Sequence, residues 1–198
     1  MQSARLAKIL AKSESLTSAF STHNRHLYLV GGAVRDLLVN GDVSTYPADL
    51  DFTTDAPPEE IESIIRPLAS AVWAVGKRFG TIAFRIGEDT FEVTTHRSES
   101  YVEDSRKPIV SFSDSIIEDL SRRDFTINAM AVRLTQPAGE LIDPHGGLRD
   151  LASRRLMTPL PPEVSFSEDP LRMLRAARFL ARFDLEADQT IAPAILHV

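Results

Sequence analysis

The strongest constraint on the fold is an alternation of acidic and apolar residues in the short segment ADLDFTTD, residues 48–55. In an extended strand, successive side chains point to opposite faces, so Asp49 and Asp51 lie on one face while Leu50 and Phe52 lie on the other. Two carboxylates this close repel each other unless a cation lies between them, and a divalent cation bound by oxygen ligands satisfies both. The segment therefore predicts a half-buried strand that carries a metal site.

Apolar runs bounded by turn residues predict further strands on both sides of this segment. They lie in HLYLVGG, AVWAVG, GTIAFRIG, TFEVTTHR and ELIDPHGG, and GEDT has the composition of a hairpin turn between two of them. Helices are predicted at roughly 3–20, in AVRDLLV and in TDAPPEEIESIIRPLAS, where Asp55 is the expected N-cap. The segment SDSIIEDLSRRDFTINAMAVRL predicts a helix that leads into a strand.

From about residue 149 the pattern is helical only, most clearly in SEDPLRMLRAARFLARF. We therefore predict an α+β fold in two parts. Residues 1–148 form a domain with a mixed sheet flanked by helices, and residues 149–198 begin an all-helical domain. The final segment, IAPAILHV, has an apolar face with no sequence left to cover it, so we expect the helical domain to be truncated.

Composition excludes several classes of protein. The net charge of −6 argues against a module that binds nucleic acid through bulk charge, although a local basic face remains possible. The chain has no cysteine, and its five histidines form no ligand cluster, so we expect no zinc site. No signal-peptide core or run of about 18 apolar residues occurs, so we expect a cytoplasmic protein without a membrane segment.

A glycine pair at the end of the first predicted strand suggests a phosphate site. In LVGGAVRD, Gly31 and Gly32 close the strand and open a helix, so backbone N–H groups and the helix dipole can face an anion. A simple strand-to-helix turn is the commoner explanation of such a pair, but the aspartates downstream favour the phosphate interpretation. A glycine turn for phosphate and an acidic strand for metal are the two halves of a nucleotidyl-transfer site.

A third acid would complete a site for two metal ions. Glu92 in TFEVTT lies on the strand face opposite Phe91 and Val93, and it can join the two aspartates if its strand pairs beside theirs. The alternative is an edge-strand glutamate that faces water, and spacing alone gives the two interpretations equal weight.

Six segments, in this order, resemble the successive motifs of class II tRNA nucleotidyltransferases, the family of bacterial CCA-adding enzymes and their poly(A) polymerase relatives: LVGGAVRDLL, DLDFTTDA, FEVTTHR, RRDFTINAMA, DPHGGLRDL and EDPLRMLRAARF. The resemblance covers roughly residues 27–183, and six motifs in fixed order are far more specific than any one alone. It implies a DNA polymerase β-like nucleotidyltransferase head followed by the start of a helical neck, with body and tail domains beyond residue 198.

The resemblance also implies roles for the acidic strand and the glycine turn. Asp49 and Asp51 would bind the catalytic Mg²⁺ ions, with Glu92 as a further catalytic candidate. The residues around the triphosphate would be Gly31, Gly32 and Arg35.

In RRDFTINAMA, Arg123, Asp124 and Asn128 would bind the ribose and phosphates of the incoming nucleotide. The residue types agree, because an aspartate accepts from a ribose hydroxyl and an arginine donates to phosphate oxygens. A helix cap beside a solvated arginine pair would explain the same residues.

Asp169 and Arg172 in EDPLRMLR are three apart at a helix start, so they share a face and can present an acceptor beside donors. Cytosine and adenine each offer an amino donor next to a ring acceptor, whereas guanine and uracil offer the reverse. Such a pair would accept C and A and reject G and U, and the resemblance assigns this role to the motif. Alternatively Asp169 caps the helix with Pro170 at its first position, and both interpretations can hold together.

The same helix carries four arginines in eleven residues: Arg172, Arg175, Arg178 and Arg182. They form either a solvated face or a local positive field beside the 3′ end of an RNA. We count Arg175 among the candidate nucleotide-binding residues.

Three connecting segments carry weaker predictions. RSESYVEDSRKP, residues 97–108, predicts a mobile surface loop, and the resemblance implies that it repositions the site for adenosine. In DPHGG we expect Asp143 to be structural or part of a hinge and His145 to be a turn residue. Sixteen residues separate Gly32 from Asp49, more than expected for the family, so the path of residues 40–47 is not predicted.

These observations predict a template-independent, Mg²⁺-dependent enzyme that adds C and A to the 3′ end of tRNA from CTP and ATP. The alternatives are a bacterial poly(A) polymerase or A-adding enzyme, and a non-catalytic fragment that binds RNA or nucleotide. The presence of both metal aspartates argues against the last of these. The sequence leaves the oligomeric state open.

Overall fold

The computed structural model describes residues 4–39, 50–73, 76–100 and 109–197. The helices in these ranges are α1 Ala4–Lys12, α2 Glu14–Thr22, α3 Gly32–Leu38, α4 Pro58–Ile65, α5 Ile116–Ser121, α6 Gly147–Ala152, α7 Pro162–Glu168, α8 Leu171–Phe183 and α9 Ile191–His197. The strands are β1 Leu27–Val30, β2 Asp51–Thr54, β3 Ala71–Trp73, β4 Thr81–Ile86, β5 Asp89–Thr95, β6 Arg97–Ser100, β7 Ile109–Phe112, β8 Ala131–Arg133, β9 Leu141–Ile142, β10 Arg155–Leu156 and β11 Glu186–Ala187. Two short 3₁₀ helices span Lys77–Phe79 and Thr126–Asn128.

Within the described residues, seven strands form one sheet in the order β3-β4-β5-β2-β1-β8-β9. Neighbouring strands are antiparallel except β2 and β5, which run parallel. The predicted mixed sheet flanked by helices is therefore confirmed, and so is the tight hairpin between β4 and β5. Among the described residues, none of the helices combines the length and the apolar character that crossing a bilayer requires.

The two faces of the sheet are chemically different because side chains alternate along each strand. On one face Leu29, Phe52 and Val93 lie in register and belong to the main buried core, which α1, α2 and α4 also supply. On the other face Val30 packs with a smaller cluster that includes α5. The alternation predicted for residues 48–55 holds only at the start of β2, where Asp51 is exposed and Phe52 is buried, because Thr53 and Thr54 are buried as well. Asp49 lies outside the described residues.

Helix α8 packs against the 3₁₀ helix Thr126–Asn128 through a separate apolar cluster. Its buried members are Phe125, Ile127, Leu156, Ala176, Phe179 and Leu185. The cluster includes residues from both sides of the predicted division at residue 148, and α6 crosses that division. The two predicted domains thus share a continuous apolar contact, and the division itself stays a prediction.

Two helix-end predictions were wrong. Asp55 does not cap α4, whose N-cap is Pro57, because the Asp55 carboxylate accepts the backbone N–H of His26 at 2.8 Å. The single helix predicted at roughly 3–20 is two helices, α1 and α2. The break falls at buried Ser13, whose hydroxyl donates to the carbonyl of Ile9 at 2.8 Å.

Two strand pairs were also missed. Strands β10 and β11 form a short parallel pair, so the region after residue 149 is not purely helical. Two-residue strands carry no periodic signal and form only because α8 returns the chain to that place. Residues 97–100 of the predicted loop are strand β6, paired with β7, while residues 101–108 lie outside the described residues.

Candidate active site

The turn between β1 and α3 brings the glycine pair close to two charged groups. Gly31 has φ +70°, a left-handed conformation that favours glycine, and its carbonyl accepts the N–H groups of Val34 and Arg35. A Cβ placed on Gly31 would lie 3.4 Å from Arg123 Nη1 and 3.9 Å from Asp51 Oδ2. The glycine backbone therefore lies close to both a carboxylate and a guanidinium, which suits a phosphate that accepts from the guanidinium while a cation lies between the phosphate and the carboxylate.

Asp51 and Glu92 lie side by side on neighbouring strands of the sheet. These residues are Cα partners in the parallel β2–β5 ladder, so their side chains leave the sheet on the same face, and both are exposed. Oxygen ligands of this kind suit a hard divalent cation. In the ranges that the structure describes, which exclude Asp49, no three His, Cys, Asp or Glu side chains come together as a metal cluster.

Arg123 is held by a buried carboxylate that sequence reasoning did not identify. Asp119, in α5, is fully buried and accepts Arg122 Nη2 at 2.7 Å and Arg123 Nη2 at 2.9 Å. It also accepts the backbone N–H of Arg97, where β6 begins, at 3.2 Å. Burial alone would raise the pKa of Asp119, but the charges and hydrogen bonds of Arg123 and Arg122 outweigh it, so the pKa lies well below the usual range. The sequence signal for this contact was the spacing in EDLSRRD, where Arg122 and Arg123 follow Asp119 by three and four residues.

Asp124, Asn128 and Arg35 form one hydrogen-bonded chain that ends on α8. Asn128 donates to Asp124 Oδ1 at 3.0 Å, and Arg35 Nη1 donates to Asn128 Oδ1 at 2.7 Å. The second carboxylate oxygen of Asp124 accepts Arg175 Nε at 2.8 Å. The structure therefore brings together four residues that the sequence had placed in three separate motifs.

Asp169 and Arg172 both have partners within the chain. Asp169 Oδ1 accepts the N–H of Leu171 at 3.0 Å, so it does satisfy a donor at the start of α8. Arg172 is buried, with its guanidinium donating to Ser165 Oγ at 2.8 Å and to the carbonyl of Arg122 at 2.8 Å. Arg172 thereby ties α8 to the segment that carries Arg123. Whether this pair selects the base stays a prediction.

The DPHGG segment has a structural role in the described fold. The Asp143 carboxylate accepts the N–H of Gly147 at 2.7 Å and that of Leu148 at 3.0 Å, which fixes the start of α6. His145 Nε2 lies 3.0 Å from Ser121 Oγ, and burial lowers the pKa of its imidazole. Both residues hold the turn against its neighbours.

A buried histidine contacts Thr53, which lies on the same face of β2 as Asp51. His96 follows β5 and is 1% exposed, and its Nδ1 lies 2.9 Å from Thr53 Oγ1. Thr53 donates its own proton to the carbonyl of Thr94, which assigns the ring proton to Nδ1 of a neutral His96. Burial, opposed by the charges of Asp119 and Asp55, lowers the pKa of His96 to about 4.

We expect this histidine to make the fold acid-sensitive. Because the unfolded chain binds a proton near pH 6.5 and the folded chain only near pH 4, stability should fall by about 2–3 kcal/mol as pH drops between these values. The test is urea denaturation at several pH values for the unaltered chain and for His96→Asn, which keeps a donor towards Thr53. Above about pH 5, where the histidines and not the carboxylates titrate, the variant should lose most of the slope, and His145 should supply what remains. Below that pH both chains lose stability through carboxylates whose pKa is lowered, such as Glu60 and Asp119. An unchanged slope above about pH 5 would contradict the assignment.

Comparison with known proteins identifies the class to which this fold and site belong. Residues 27–157 match the family model described as the Poly A polymerase head domain. Because the match covers well over half of the chain, the chain belongs to this family, and the predicted family membership is confirmed.

Individual relatives carry a more specific name than the family model does. A CCA-adding enzyme of Bacillus licheniformis is 44% identical over 188 residues, 94% of this chain and 45% of that protein. The crystal structure of the Bacillus stearothermophilus CCA-adding enzyme in complex with CTP has a TM-score of 0.79 at 32% identity and covers 98% of this chain and 43% of that one. The Thermotoga maritima CCA-adding enzyme complexed with tRNA has a TM-score of 0.76 at 32% identity, covering 96% and 42%. The chain thus spans less than half the length of these relatives.

Proposed function

We propose that this chain supplies the nucleotidyl-transfer site of a CCA-adding tRNA nucleotidyltransferase located in the cytoplasm. In this proposal residues 1–148 are the head domain and residues 149–198 begin the helical neck. The observation that carries it is the placement of Asp51 beside Glu92 and, across Gly31, near Arg123. Relatives named as CCA-adding enzymes, one of them bound to CTP and one to tRNA, support the choice of substrates.

Mg²⁺ is the metal that we propose for this site. The donor set fits it, because Asp51 and Glu92 offer exposed carboxylate oxygens on one face of the sheet, and Asp49 lies two residues before Asp51 in the sequence. A bound Mg²⁺ would supply a Lewis acid that polarises phosphoryl oxygens. Asp49 and Asp51 would hold it, with Glu92 beside them.

In the proposed reaction, other residues of the chain orient the triphosphate. The 3′-hydroxyl of the RNA would attack the α-phosphate of CTP or ATP, so that a new phosphodiester bond forms, the bond from the α-phosphorus to pyrophosphate breaks, and the hydroxyl proton passes to solvent. Gly31, Gly32, Arg35 and Arg123 would orient the triphosphate through backbone N–H groups and charged donors.

Recognition of the nucleoside falls to the two other groups of residues. Asp124 and Asn128 would bind the ribose, and Asp169 with Arg172 would bind the edge of the base. For Arg172 to do so, its guanidinium must use N–H groups beyond those that Ser165 and Arg122 already occupy.

A poly(A) polymerase is the second candidate, because the family model carries that description. Extension of a tRNA that lacks its CCA end, resolved to single nucleotides, separates the two. Ordered addition that stops after C, C and A is the expected result with the full chain, Mg²⁺, CTP and ATP. A long A-only ladder would favour the poly(A) polymerase, and no extension with either nucleotide would favour a binding fragment.

Replacing Asp51 by alanine should reduce incorporation by about 10²- to 10³-fold, because the proposed metal site loses a ligand. CTP binding should persist in part, since the glycine turn and Arg123 remain. Asp89→Asn is the matched control, because Asp89 lies at the start of the same strand as Glu92 and pairs with Lys12. If Asp51→Ala incorporated nucleotides at the rate of the control variant, the assignment of Asp51 as a metal ligand would be wrong.

A further inference from the structure

A small recess lies where α8 passes the start of α3. It has a volume of about 90 Å³ and is lined by Arg35, Arg178, Phe179, Arg182 and Phe183. Arg178 and Arg182 are one helical turn apart on α8, so their side chains extend from the same face. The recess therefore combines three guanidinium groups, two of them neighbours on α8, with two aromatic rings.

Arg178 and Arg182 differ from the neighbouring arginines in their partners. Across the ranges that the structure describes, neither residue forms an ion pair, whereas Arg35 bonds Asp36 at 2.7 Å and Arg175 bonds Asp124. Their guanidinium carbons instead lie 5.8 Å and 5.3 Å from the ring centres of Phe179 and Phe183. Like charges one turn apart oppose each other, so this arrangement favours an anion in a chain whose net charge is −6.

Arg35 connects the recess to the candidate active site. It is 6% exposed, stacks with its guanidinium carbon 4.2 Å from the ring centre of Phe183, and donates to Asn128. The recess thus lies one side chain away from the Asp124–Asn128 pair. Two other groups proposed for the triphosphate, Gly31 and Arg123, do not line the recess, so Arg35 borders both sites.

The chemistry of the recess favours a phosphodiester group. Arginine side chains bind phosphate through paired N–H donors, and the rings beside them offer apolar contact to an adjoining sugar. The volume accommodates a single phosphate group rather than a nucleotide. An RNA strand presents such groups at regular intervals along its backbone.

We propose that Arg178 and Arg182 bind one backbone phosphate of the RNA whose 3′ end is extended. The inference rests on the proposed function in naming that RNA. The inference adds to the proposed function a phosphate contact on α8, made by two arginines that are not assigned to the incoming nucleotide.

Salt-dependent RNA binding tests this contact. A fluorescent tRNA that lacks its CCA end is titrated with the unaltered chain and with Arg178→Gln/Arg182→Gln between 50 and 200 mM salt, without nucleotide. Each phosphate contact adds about 0.9 to the slope of log Kd against log salt concentration. The double variant should therefore lose about one unit of slope and bind about tenfold more weakly at the lowest salt. Its CTP affinity and thermal midpoint should not change.

Arg66→Gln/Arg154→Gln is the matched control, because it removes the same net charge from side chains that are 70% and 68% exposed. It should keep the slope of the unaltered chain. Equal slopes for the two double variants, no RNA binding by the unaltered chain, or weaker CTP binding with unchanged RNA binding would each overturn the proposal. Loss of slope in a chain that transfers no nucleotide would support this contact while contradicting the proposed function.

Discussion

Replacing Asp119 by asparagine should lower the free energy of unfolding by about 3–5 kcal/mol, because breaking a buried ion pair leaves uncompensated charge. Asp119 is fully buried and is the shared partner of Arg122 and Arg123, whose side chains are only 16% and 20% exposed. Asparagine keeps the shape of the side chain but supplies one neutral acceptor in place of a carboxylate. Urea denaturation at pH 7 measures the change.

The same variant should also weaken CTP binding, by about tenfold. Arg123 extends towards Gly31 from its bond to Asp119, so a freed guanidinium loses the orientation that we propose for phosphate contact. Asp119 would then be a positioning residue that also fixes the backbone of Arg97, where the β6–β7 hairpin begins. An effect confined to stability would leave CTP affinity unchanged once the folded fraction is taken into account.

Asp184→Asn provides the matched control. Asp184 pairs with Arg154 at 2.6 Å, but its side chain is 88% exposed, and its left-handed conformation, φ +51°, suits asparagine. Exposed pairs contribute little, so this change should stay within about 0.5 kcal/mol. If Asp119→Asn had the same urea midpoint as Asp184→Asn, the buried carboxylate would not be what holds the two arginines.

The sheet could be predicted because its signal is local. Alternation along β5 and at the start of β2 predicted which residues are buried and which are exposed, and the pairing of these strands then brought Asp51 beside Glu92. The sequence specified the faces of each strand but not its neighbours. The location of Glu92 beside water or beside Asp51 therefore stayed open until the strand order was known.

Contacts between distant segments could not be predicted in the same way. Arg172 looked like an exposed member of an arginine face, yet it bonds the carbonyl of Arg122, fifty residues away, and is buried. Asp55 looked like a helix cap, but the N–H of His26, just before strand β1, bonds its carboxylate instead. In both cases the observed partner comes from a distant segment, which the local motif did not indicate.

Replacing Gly147 by alanine should destabilise the protein by about 1–3 kcal/mol, the usual cost of overpacking, with the larger value expected here. Gly147 begins α6, and a helical glycine replaced by alanine ordinarily stabilises a protein by up to about 1 kcal/mol. Here the added Cβ would lie 2.1 Å from the carbonyl oxygen of Thr126 and 3.0 Å from Met130 Cγ. The first contact is with backbone, so α6 and the 3₁₀ helix must move apart.

This displacement should also reach the candidate active site, because the 3₁₀ helix Thr126–Asn128 carries the amide that links Asp124 to Arg35. CTP affinity should therefore fall together with the urea midpoint. Gly87→Ala is the control: its Cβ would meet no atom within 4 Å, so the cost is limited to the strain of its φ of +59°, about 1 kcal/mol, and CTP binding stays intact. A stabilised Gly147→Ala variant would mean that α6 can move away freely, and the close contact between α6 and Thr126 would then not be what positions Asn128.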